Sequence, residues 1–151
     1  MTRRNYGGQL FAMQRIASVV SSTPLTSGTL FTYTGTVRID AIVGRVTTEV
    51  QAQATTVKLS VTADSLASYD ICATVDANAF DIGSILSITG TAANAMAGTD
   101  AQGAMAPGQA NPVFMTCVTS GVVTVTFGAA SLGAIDWEIL WTPMSEDATL
   151  V

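Results

Sequence analysis

The chain contains no histidine. Imidazole is therefore excluded as general base, metal ligand and pH switch, and the common pairings of a serine or cysteine nucleophile with histidine go with it. Charge is scarce. Lys and Arg number 6 and Asp and Glu 11, together 11% of 151 residues, where a globular domain ordinarily carries about 25%. Lys58 is the only lysine and lies on the polar side of an alternating run, with no motif that would make it the base for a serine. The two cysteines, Cys72 and Cys117, form no CxxC and have no histidine to complete a zinc site with them. Both fall in strand-like runs, where a thiol packs as a small hydrophobe, so two buried thiols are expected rather than a disulfide. No apolar run is long enough for a transmembrane helix, and Leu10–Met13 is cut by Gln14 and Arg15 before it could serve as the core of a signal peptide. No GK[ST] phosphate-binding loop occurs.

Against these absences stands a chain that is 48% hydrophobic. At this length folding buries about two-thirds of the extended surface, enough for a core without staples. Two devices keep so weakly charged a surface in solution. One is a cover of neutral hydroxyls, and threonine is as common here as alanine. The other is concealment in a permanent interface, and such interfaces are depleted in charge. Association with copies of itself is the expectation. The net charge of −5 is unevenly placed: Arg3, Arg4 and Arg15 supply half the positive charge. From residue 16 onward three cations face eleven anions, a sign that repels a phosphate backbone. Neither nucleic acid nor membrane is expected as a partner, and no cofactor is expected.

Along the chain, residues 1–9 read as an arm broken by Gly7-Gly8, 10–142 as one β domain, and 143–151 as a C-terminal tail. Residues 10–20 fit a strand or a helix with Leu10, Met13, Ala17 and Val20 on one face. From Thr29 the pattern is β. Val37–Gln51 alternates with odd residues inward as far as Val43 and even residues from Val46, which predicts a bulge or bend at Gly44. Val57, Leu59 and Val61 face inward in the cleanest strand. Further strands are expected over 69–75, 84–89, 113–119, 122–127 and 135–141, with a hairpin at Ser120-Gly121 and a long connection over 90–112. About eight strands without alternating helices give an all-β fold: an antiparallel β-sandwich of jelly-roll type, or a closed barrel.

No residue is assigned a catalytic or metal-binding role. Asp64 with Asp70 and Asp76 with Asp81 are the carboxylate pairs a glycosidase would need, but both flank strands, where aspartate begins turns. Asp76, Asn78 and Asp81 lack the glycine and distal glutamate of a helix–loop–helix calcium site. Trp137 and Trp141 share one strand face. They suit a core or subunit interface; left exposed they would form a platform for sugars.

The stretches TLFTYTGTVRIDAIVGRVTT (29–48), ATTVKLSVTA (54–63), DIC (70–72), SILSITGTA (84–92) and WEILWTPMSEDA (137–148) follow one another in an order and texture that resembles the small all-β head-decoration, or cement, proteins of tailed bacteriophages. The resemblance implies a non-enzymatic virion protein, a homotrimer on the outer capsid surface that binds the major capsid protein and is assembled in the cytoplasm of the bacterial host. It also implies an N-terminal arm that reaches a neighbouring subunit, for which Arg3, Arg4 and Tyr6 are the residues. A glycan-binding or host-contact module of the tail, baseplate or fibre is the alternative.

Overall fold

The computed structural model describes residues 14–21, 23–64, 66–89, 93–99, 115–117 and 120–151. Among them there is no helix; twelve strands make two sheets. In chain order they are β1 (Arg15–Ser21), β2 (Gly28–Thr34), β3 (Val37–Thr48), β4 (Thr56–Ala63), β5 (Tyr69–Asp70) and β6 (Val75–Asp76). The second half adds β7 (Ile85–Ser87), β8 (Ala97–Thr99), β9 (Met115–Cys117), β10 (Gly121–Phe127), β11 (Ala134–Pro143) and β12 (Thr149–Leu150). One sheet runs β1-β11-β3-β7-β8, with β9 also on β3; the other runs β12-β2-β10-β4-β5, with β6 also on β4. Every pairing between these strands is antiparallel.

The pairs are nested. β1 meets β11, β2 meets β10, β3 meets β7 and β4 meets β5, so the chain is one long antiparallel hairpin. Successive rungs lie in alternate sheets, and rolling the hairpin brings β11 onto β3 and β10 onto β4. This is the strand order of a jelly roll. The sheets remain open at β1 and β8 and at β12 and β5, which decides for a sandwich and against a closed barrel.

The inward faces explain why these segments form strands. In β10, Gly121, Val123, Val125 and Phe127 are buried and the residues between them half-buried. In β11, Ile135, Trp137, Ile139 and Trp141 point inward against Val37, Ile39, Ile42 and Val46 of β3. Phe31, Tyr33, Val57, Leu59 and Val61 close the core from the other sheet. Each such side chain contributes about 1.5–3 kcal/mol by leaving water.

Five expectations are corrected. The connection expected over 90–112 contains a strand, β8, whose Ala97–Thr99 pair with β7. The parity slip in β3 lies at Asp40, not Gly44: Ile39 pairs with Trp141 and Ala41 with Leu140, leaving Asp40 as the extra residue. Gly44 sits in regular register opposite Trp137, and a Cβ there would come within 2.7 Å of the indole Cζ3. Its bare backbone makes room for the ring. Next, Ser120-Gly121 is no hairpin turn, because β9 pairs with β3 in one sheet while β10 belongs to the other. The run 69–75 is split: its strand pairing stops at Asp70 and resumes at Val75, and between them Ile71 and Cys72 are buried. Finally, residues 143–151 are no free tail. β11 continues through Pro143, β12 pairs with β2, and Val151 exchanges two backbone hydrogen bonds with Thr32, at 2.7 and 2.9 Å. The ambiguous segment at 10–20 is a strand from Arg15 onward.

Candidate functional site

The two outer faces of the sandwich differ. That of the β2-β10-β4 sheet is hydroxylic. Thr29 stands beside Thr124 and Ser60, Thr32 and Thr62 flank Val122, Thr126 stands beside Lys58, and Thr34 meets Thr149. Its ion pair, Lys58 Nζ to Asp70 Oδ2 at 2.9 Å, crosses to β5. Threonine satisfies both the branched-side-chain preference of a strand and the demand for a wet face.

On the outer face of the β1-β11-β3 sheet one row is wholly apolar and two more mix apolar with polar or charged residues. Ile16 stands beside Leu140 and Ala41, Ser18 beside Glu138 and Val43, and Val20 beside Asp136 and Arg45, with Ile85 next. Ile16 is 70% exposed and Val20 55%. Leu140, Ala41, Val43 and Ile85 are half-buried. Arg45 donates to Asp136 at 3.2 Å and so neutralises one row within the face. An antiparallel sheet with one solvated face ordinarily alternates apolar inward and polar outward, and this face departs from that rule.

At the Gln14 end of the same sheet the Asp40 bulge holds a polar cluster. Asp40 is 4% exposed. Its carboxylate accepts from Arg38 Nε at 2.7 Å, from Thr142 Oγ1 at 2.6 Å and from Gln14 Nε2 at 3.2 Å. Arg38 also donates to Thr142 Oγ1 at 3.2 Å. A buried carboxylate is tolerable only when paired and hydrogen-bonded in this manner. The bulge lets β3 turn Asp40 toward Arg38 and Thr142 while Ile39 and Ile42 both reach the core. Alternation alone placed Asp40 on a plain polar face, so this cluster was missed.

The tryptophans lie in the core. Trp137 is fully buried and donates from Nε1 to Ser21 Oγ at 3.2 Å. Trp141 is 3% exposed, its Nε1 has no hydrogen-bond partner, and Arg15 lies over its ring with the guanidinium carbon 5.3 Å from the centroid. Neither presents the open ring face that a sugar platform requires. The four cations among the described residues are thus all engaged, three with carboxylates and Arg15 with an indole. Arg3, Arg4 and Tyr6 lie outside the described residues.

The carboxylate pairs are turn and strand furniture. Asp70 is held by Lys58, and Asp76 accepts from the Asn78 backbone N–H at 3.0 Å in an Asx turn. Among the described residues no three of His, Cys, Asp and Glu gather where a metal ion could be held. Cys72 is a free, buried thiol whose Sγ accepts from the Leu59 N–H at 3.2 Å. Burial pushes this thiol above its ordinary value. Alkylation of the native protein at neutral pH followed by peptide mapping is expected to leave Cys72 unmodified, and to label it once urea is added.

Fold and surfaces together define an antiparallel jelly-roll sandwich with one hydroxylic and one partly apolar outer face. Compared with known proteins, the chain matches no family model, no curated protein and no solved structure.

Proposed function

We propose that this chain is a non-enzymatic structural protein of a bacteriophage virion, which associates with copies of itself and decorates the outer surface of the capsid. The carrying observation is the contrast between the two outer faces. A threonine face suits water, while the partly apolar face that includes Ile16, Val20 and Leu140 suits a protein neighbour. The scarcity of charge supports the same reading, since what little positive charge the described residues carry is spent inside the molecule. Cementing is a mechanical task. A decoration protein raises the cost of separating capsid subunits through several modest contacts that act together.

Within this reading Arg3, Arg4 and Tyr6 belong to an arm that docks on an acidic capsid neighbour. Deleting residues 1–9 is expected to leave a folded self-associated protein that no longer co-sediments with undecorated head particles of the parent phage. Undiminished co-sedimentation would remove the arm from the account. Failure of the full-length chain to bind heads would remove the capsid itself.

A further inference from the structure

We propose that β1 is a self-pairing edge: two copies of the chain join antiparallel along Arg15–Ser21, about a twofold axis at Ser18, and make one continuous sheet across both molecules. The proposal deepens the self-association in the reading above and rests on that part of it, not on the capsid.

Three observations carry it. First, among the described residues β1 pairs on one side only, with β11, and at seven residues it is much the longest of the strands that end a sheet order; β5 and β12 have two residues and β8 three. Second, β1 lacks the usual protection of an edge. Lysine, proline or a bulge normally blunts such strands. β1 contains no lysine and no proline, and its register with β11 is unbroken from Arg15↔Trp141 to Ser21↔Ile135. Its one charge, Arg15, is folded over Trp141. Third, the sequence RIASVVS reads alike from either end in polarity. Antiparallel pairing about Ser18 sets Ile16 opposite Val20 of the second copy on the outer face, Ala17 opposite Val19 on the inner face, and Arg15 opposite Ser21. Every apolar residue meets an apolar one, which is the self-complementarity a twofold interface demands and the kind of cross-strand pair that stabilises a sheet.

The open mouth of the sandwich lies beside this edge. A groove of about 390 Å³ between β1 and β2 has a mixed lining, with Val19, Val20, Leu30 and Val125 beside the hydroxyls of Ser21 and Thr29. Ala17 and Val19 pack on the core yet remain only half-buried. A second β1 would cover them and satisfy the outward backbone groups of the first, as in other strand-addition interfaces.

The test uses the full chain. Ser18→Cys places two thiols opposite each other on the axis, at the Cβ separation typical of directly opposed strand residues, from which a disulfide can close. Mild oxidation is expected to convert most of it to a disulfide-linked pair on non-reducing gels, with the wild type unlinked. Ile16→Lys combined with Val20→Lys sets like charges opposite one another twice. Both positions are exposed, so the fold is expected to persist by circular dichroism while the solution mass falls at least twofold. A cyclic trimer has no twofold axis, so the wild type should contain an even number of chains. No Ser18→Cys linkage, or a multi-chain mass that the lysine variant leaves intact, overturns β1 pairing while self-association by another surface stands. A wild type with the mass of one chain at every concentration overturns both.

Discussion

Replacing Trp137 by alanine is expected to lower the folding free energy by about 3–5 kcal/mol, the range for truncating a buried aromatic. For a chain of this length that lowers the melting temperature by roughly 6–20 °C. Trp137 is fully buried, and its neighbours in the sheet are Val19 of β1 and Gly44 of β3. Its indole N–H reaches Ser21 at the end of β1. The ring therefore ties three strands, and its loss opens a cavity at their junction. Gly44→Ala is a companion test, because the added methyl would meet the ring at 2.7 Å. Alone it is expected to cost about 1–3 kcal/mol as overpacking. Added to Trp137→Ala it should cost little, since the atoms it collides with are gone. A double-mutant cycle by urea denaturation measures that coupling. Equal costs in both backgrounds would mean that Gly44 serves the backbone and not the ring.

The second large effect concerns Asp40. Asp40→Asn keeps the shape but removes the charge that holds Arg38, and it turns a donor toward one of the three donors that now converge on the carboxylate. The expected loss is about 1.5–3 kcal/mol, the worth of hydrogen bonds to a charged group. Thr142→Val removes another member of the network. The two changes together should cost less than the sum of their separate costs, because both weaken the one Arg38–Asp40–Thr142 network. Urea midpoints of the two single variants and the double variant give the comparison. Strict additivity would show that Asp40 and Thr142 are not coupled.

The sandwich was legible where the core is built by plain alternation. Val57, Leu59 and Val61 in β4 and Ile135, Trp137, Ile139 and Trp141 in β11 face inward as their spacing predicts. What the local pattern could not reveal was set by distant partners. The glycine in β3 invited a bulge at Gly44, yet the slip belongs at Asp40, where Arg38 and Thr142 are placed to receive a carboxylate. Both readings satisfy the same inward residues at either end of the strand, and β11 alone decides between them. Likewise Ser120-Gly121 has the composition of a hairpin turn, but β9 finds its hydrogen-bond partners on β3 across the fold. The C-terminal residues lack a long apolar run, and two short pairings with β2 suffice to hold them.

The partly apolar outer face was less legible still. Ile16 and Val20 belong to a segment whose periodicity also fits a helix, and only the pairing with β11 turns them outward beside Leu140 and Asp136. The scarcity of charge pointed to a concealed surface without saying which one. The fold offers the outer face of the β1-β11-β3 sheet as the candidate.

Self-association is the claim on which the rest depends, and the molar mass of the full-length chain by light scattering after size exclusion tests it most directly. The account predicts a stable multiple of 15.5 kDa that dilution does not change. A mass of 15.5 kDa at every concentration would contradict it.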